Sequence, residues 1–199
     1  FTNCKYLVSV RLPQTLETIG NYAFQNVALD ALILPASVYS IGGGAFSGEV
    51  RSNLNKYYYP TSNSLTNFMT SVPPGVGQNN YYSCRAGKLK KVVIPGSVKN
   101  IFPRAFRSCS SLSDLIIGNG VEQIYDHAFA HCTSLTNVII PDSVTALQRW
   151  VFENCTSLKQ VEIGSGVVRI GPETYFGCSS LTSIILPDNV SIGGGLFEY

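Results

Sequence analysis

The sequence predicts a repeat solenoid: a right-handed superhelix of 22- to 23-residue repeats with a parallel β-sheet on one face and few or no long helices. Three observations carry this. Cys109, Cys132, Cys155 and Cys178 recur at one fixed interval. The stretch "HCTSLTNVIIPDSV", His131 to Val144, returns in altered form along the chain. Each copy is also too short to bury its own apolar side, so copies must stack on one another.

The elements follow in chain order. Full-length copies start at Leu89, Leu112, Leu135 and Leu158, each as long as the cysteine interval. Two earlier copies, from Leu7 and Leu29, are shorter by a single position, and a truncated copy starts at Leu181. The shared pattern is L-x-x-[VIL]-x-[IL]-[PG]-x-x-V-x-x-I-x-x-x-A-F-x-x-C-x-S. Its first part alternates with period two and suits a short strand. Pro or Gly then ends that strand. The second part suits another short extended piece, followed by a turn or a single helical turn. Residues 48–64 fit no copy and read as a Tyr-rich insertion. Residues 65–88 read as a degenerate copy, with Phe68 at a strand position and Tyr81 and Cys84 standing for the usual Phe and Cys. The expectation is one domain over residues 1–199, of about eight rungs, incomplete at both ends. "FTNCKYL" at the start reads as mid-repeat, so the natural chain is expected to be longer. Rungs about 4.8 Å apart would make a body about 35–40 Å long.

Composition narrows the function classes. Charged residues are only 13% and the net charge is +2, which gives no footprint for nucleic acid. No apolar run approaches the ~20 residues of a membrane span. The thiols fall once per rung and read as a packed column of small buried side chains. No close Cys pair suggests zinc or redox chemistry. His127 and His131 lie four apart, beside Asp126, and would share a face if helical. They read as surface residues of variable repeat positions, with weak metal binding as the lesser alternative. Both "GGG" runs, Gly42 to Gly44 and Gly193 to Gly195, are repeat turns. No nucleophile or phosphate-loop motif is found, and the 12 carboxylates are scattered. The expectation is therefore no enzyme and no cofactor.

Surfaces remain. Alternate strand residues should face outward. One outward column is Ser9, Ala31, Asn67, Lys91, Asp114, Asn137, Gln160 and Ser183, which is polar. The other is Arg11, Ile33, Met69, Val93, Ile116, Ile139, Glu162 and Ile185, mainly apolar. An apolar outward column suits either mutual support of β-branched residues along a ladder or a contact face for a partner. Tyr57, Tyr58, Tyr59, Tyr81 and Tyr82, set among Asn and Ser, have the composition of adaptable contact surfaces. Arg85, Lys88, Lys90, Lys91, Lys99, Arg104 and Arg107 cluster in one region and could meet a polyanionic glycan. Asn154-Cys155-Thr156 and Asn189-Val190-Ser191 match the N-glycosylation pattern.

The repeat resembles the BspA-like class of leucine-rich repeats. "IIPDSV" and "AFAHCTSL" carry the likeness, which spans nearly the whole chain outside the insertion. Gly118 and Gly164 depart from the usual proline, and Leu147 and Trp150 from the usual Ile-Gly turn. The resemblance implies a surface-exposed or secreted adhesion module of a bacterium or parasitic protist. Its partner would be a host matrix or other cell-surface protein. A structural spacer, or a scaffold for a separate catalytic or anchor domain, is the alternative.

Overall fold

The computed structural model describes residues 1–48, 88–188 and 190–197. Its strands are β1 (Thr18–Ile19), β2 (Ala31–Ile33), β3 (Ser40–Ile41), β4 (Lys91–Ile94), β5 (Asn100–Ile101), β6 (Asp114–Ile117) and β7 (Gln123–Ile124). They continue with β8 (Asn137–Ile140), β9 (Ala146–Leu147), β10 (Gln160–Ile163), β11 (Arg169–Ile170), β12 (Ser183–Ile185) and β13 (Ser191–Ile192). All strand pairs are parallel, and the described residues contain no helix. The chain is a parallel-strand β-solenoid. We number its rungs 1 to 7 from Leu7, Leu29, Leu89, Leu112, Leu135, Leu158 and Leu181.

Each rung has three faces. The first holds the longer strands, in two sheets of three, β2-β4-β6 and β8-β10-β12. The second is a continuous seven-stranded ladder, β1-β3-β5-β7-β9-β11-β13, whose strands have two residues each. The third consists of consecutive turns. There, backbone amides alternate between their own rung and the next. Ala105 and Arg107 donate to Phe102 and Arg104, while Arg104, Phe106 and Ser108 donate to Asp126, Ala128 and Ala130. This alternation needs two left-handed residues per rung. They fall at Arg104 and Ser108, His127 and His131, Trp150 and Asn154, then Glu173 and Gly177. The expected helical turn is thus a ladder of turns, because inter-rung bonds satisfy donors that a helix would use internally.

The register across the middle joins rung 2 directly to rung 3. Ala31 pairs directly with Lys91, Leu32 with Val92 and Ile33 with Val93. Ser40 likewise pairs with Asn100. The degenerate copy at 65–88 lies, except for Lys88, outside the described residues. Asn67 and Met69, expected in the outward columns between Ala31 and Lys91, lie outside the described residues.

The interior is built of columns. Phe24, Phe46, Phe106, Phe129, Phe152 and Tyr175 stack in sequence at 5.2–5.7 Å between ring centroids. Their planes lie within 8° of parallel, because identical side chains on stacked rungs keep one rotamer. Beside them run Cys109, Cys132, Cys155 and Cys178, all buried and none in a disulfide. Each thiol donates to the carbonyl of the Phe one rung back: Phe46, Phe106, Phe129 and Phe152, at 3.1–3.4 Å. The cysteine interval is therefore one turn of the solenoid, and the thiol holds adjacent rungs together.

Proline and glycine after the first strand do different things. Gly118 donates to Ile94 and Gly164 to Ile140, both at 2.8 Å, and the strands below pair over four residues. Where proline sits above, at Pro95 and Pro187, no amide hydrogen exists and pairing shortens to three residues. At Pro141 the sheet divides: β6 and β8 belong to different sheets. A side chain on Gly118 would also strike backbone, its Cβ falling 2.4 Å from the Gly96 nitrogen.

Candidate binding face

The outward columns lie on the first face in the paired registers Ala31–Lys91–Asp114 and Asn137–Gln160–Ser183. Beside them run Ile33–Val93–Ile116 and Ile139–Glu162–Ile185. Ile33, Ile116, Ile139 and Ile185 are 67%, 46%, 64% and 61% exposed, and Val93 is half-buried. Four large aliphatic side chains in water on one line exceed what scattered surface apolar residues require. Lys91 interrupts the polar column as an ion pair with Asp114 at 2.6 Å. Ser9 and Arg11, though exposed, sit where rung 1 forms no strand on this face. Tyr57, Tyr58, Tyr59, Tyr81 and Tyr82 lie outside the described residues.

The basic cluster reads differently in three dimensions. Residues 88–111 contain Lys88, Lys90, Lys91, Lys99, Arg104 and Arg107 and no carboxylate. Rung 4, stacked on it, contains Asp114, Glu122 and Asp126 and no Lys or Arg. Lys91 pairs with Asp114, and Lys99 with Glu122 at 2.8 Å. The positive charge is thus partly neutralised across the seam, which leaves less for a polyanion. Lys88 and Lys90 are exposed, and Arg85 lies outside the described residues. The segregation of charge by rung is visible in the sequence once residues are compared at one repeat position in successive copies.

His127 and His131 are not a helical pair. Both are left-handed turn residues on the third face, and His127 is buried, which corrects the expectation of two surface imidazoles. His127 stacks on Trp150 at 4.9 Å, and its Nδ1 lies 3.0 Å from Glu153 Oε2. Arg149 lies over the Trp150 ring at 4.4 Å, and Trp150 Nε1 donates to Glu173. His131 Nε2 sits between Arg107, at 3.4 Å, and Glu153, at 3.8 Å. Burial pushes the Glu153 carboxyl up, but the His127 bond and the charges of His127, His131 and Arg107 outweigh it and leave it below the usual range. Burial raises Asp126 despite the Arg149 amide bonded to it. Among the described residues no three His, Cys, Asp or Glu side chains are arranged to hold a metal. The repeat-position alignment of Arg104, His127, Trp150 and Glu173 is the signal that could have revealed this cluster.

Comparison with known proteins fixes the family. The BspA type leucine-rich repeat region matches residues 1–72 and 75–199 in six copies. The chain belongs to the BspA-type leucine-rich-repeat family. Among solved structures, this BspA-type chain is similar to a leucine-rich repeat protein from Bacteroides ovatus. The identity is 31% and the TM-score 0.55, over 100% of this chain and 54% of that one. It is also similar to a leucine-rich cell surface protein from Faecalibacterium prausnitzii, at 26% identity and TM-score 0.50, over 92% and 55% of the two chains. A Treponema pallidum leucine-rich repeat protein shares the fold at 24% identity and TM-score 0.57, over 90% and 78%. The chain spans just over half the length of the first two. No curated protein matches. No helix among the described residues is long and apolar enough to cross a membrane.

Proposed function

We propose that this chain is a non-enzymatic, adhesin-type binding module of a surface-exposed or secreted protein. The exposed isoleucine column on the first face carries the reading. Ile33, Ile116, Ile139 and Ile185 expose apolar area along one outward column of that face. A protein partner would cover it, with the flanking Asp114, Asn137 and Gln160 supplying polar contacts at the rim. Val93, Lys91 and Glu162 complete this surface, and the tyrosines of the insertion are a second contact candidate. The cell-surface relative supports the location. A sulfated glycan is the lesser partner, because rung 4 faces the basic rung with carboxylates.

The test is capture on immobilised host matrix proteins, fibronectin and fibrinogen, with the intact chain and with Ile116→Asn/Ile139→Asn. Both positions are solvent-exposed, so the double variant should keep its fold, which circular dichroism checks. Binding lost in the variant supports the first-face site. Equal binding by both moves the site to the insertion, tested by replacing residues 51–64 with a Gly-Ser link. Binding by neither favours a spacer whose length is its role.

A further inference from the structure

The seam between rungs 4 and 5 is unlike the others. On the second face β7 and β9 pair, and on the third His127, Phe129 and His131 donate to Arg149, Val151 and Glu153 at 2.7–3.1 Å. On the first face β6 and β8 do not pair. Elsewhere on that face the carbonyls of Lys90, Thr136 and Lys159 each accept from the rung above, but among the described residues Ser113 accepts no such bond. The consequence shows in packing: Leu115 is half-buried, whereas Val92, Val138 and Val161 at its position are buried. A solenoid held on its second and third faces and unbonded on its first can bend there.

The same seam carries the titratable cluster. Rung 3 contributes Arg104 and Arg107, rung 4 Asp126, His127 and His131, and rung 5 Arg149, Trp150 and Glu153, with Glu173 of rung 6 on the Trp150 nitrogen. His131 stands between two seams. As an acceptor for Arg107 it ties rung 4 to rung 3. Once protonated it loses its acceptor, faces a guanidinium of like charge and is drawn to Glu153 of rung 5, already within 3.8 Å. We propose that the rung 4–rung 5 seam is a hinge whose lateral clamp is set by protonation of His131, which moves its partner from Arg107 to Glu153. Acid then tightens the clamp. The hinge lies between Ile116 and Ile139, so it sets the curvature of the first face whatever binds there.

The test needs no ligand. Amide hydrogen exchange at Asn137 and Ile139, which face the seam, is referred to Gln160 and Glu162, their equivalents one rung on. The ratio cancels the intrinsic pH dependence of exchange. Between pH 7.5 and 5.5, where unperturbed imidazoles titrate, protection at Asn137 and Ile139 should rise about two- to fivefold, the scale of a part-exposed ion pair. His131→Asn should abolish the change, since Asn tolerates the left-handed backbone and already occupies that column at Asn154. Glu153→Gln should abolish it too. A flat ratio in the unmodified chain, or an unchanged pH response in His131→Asn, overturns the proposal. If a variant misfolds, imidazole nitrogen shifts in the unmodified chain decide. A shared midpoint for His131 and the Asn137 and Ile139 amides supports the hinge; separate midpoints refute it.

Discussion

Two seams of this solenoid differ in whether their first-face strands pair. Between rungs 5 and 6 the upper rung has Gly164 after its strand, whose amide bonds to Ile140, and β8 and β10 pair over four residues. Between rungs 4 and 5 the upper rung has Pro141, which has no amide hydrogen, and the sheet divides. Below Pro95 and Pro187 a three-residue pairing survives, so proline shortens the ladder without by itself breaking it. At the divided seam the aromatic stack and the third-face ladder continue unbroken. A rung is thus held redundantly, and loss of one ladder is tolerated where the other columns persist.

That comparison is open to attack, first through the column both seams share. Phe129→Ala removes a ring stacked on Phe106 and Phe152, and should cost about 3–5 kcal/mol by chemical denaturation. Phe106→Ala should cost a similar amount. If the divided seam is the weaker, only the Phe129 variant should unfold in two steps. Next, Gly164→Pro should shorten the four-residue pairing of β8 with β10 to three residues and cost about 3 kcal/mol. Part of that cost is steric, since a Cβ there falls 2.6 Å from the Asp142 nitrogen. Faster exchange at Gln160 and Glu162 is the readout.

Acid gives a smaller effect. The Glu153 carboxyl is held below its usual range, so it stabilises the fold above the unfolded value, near 4.3, and that contribution is lost as pH falls through the lower folded value. Glu153→Gln should therefore flatten the stability profile between about pH 5 and 3, read by thermal melts. The thiols test burial rather than energy. Cys178, its pKa pushed up to about 12 by burial, and its ladder mates should resist alkylation in the folded chain, while exposed Cys4 reacts at once, as peptide mass spectrometry would show. The least effect belongs to the exposed Lys91–Asp114 pair, where Asp114→Asn should change stability by less than about 1 kcal/mol.

The repeat period determined the fold class, the strand positions, the inward columns and the reason for the cysteines, because each follows from one rung stacking on the next. The family was legible for the same reason, since the inward residues are the ones that repeat. What the period does not encode was decided by tertiary structure. Rung 3 sits directly on rung 2 although the whole stretch 49–88 separates Gly48 from Leu89, because stacking depends on matching faces and not on chain adjacency. His127 is buried because a left-handed turn aims it at Trp150, a direction that four-residue spacing alone misreads as helical. Two lysines of the basic cluster pair with carboxylates of rung 4, which no count of lysines within one rung can reveal. Outward residues vary freely between copies, so their meaning rests on what lies one rung above and below.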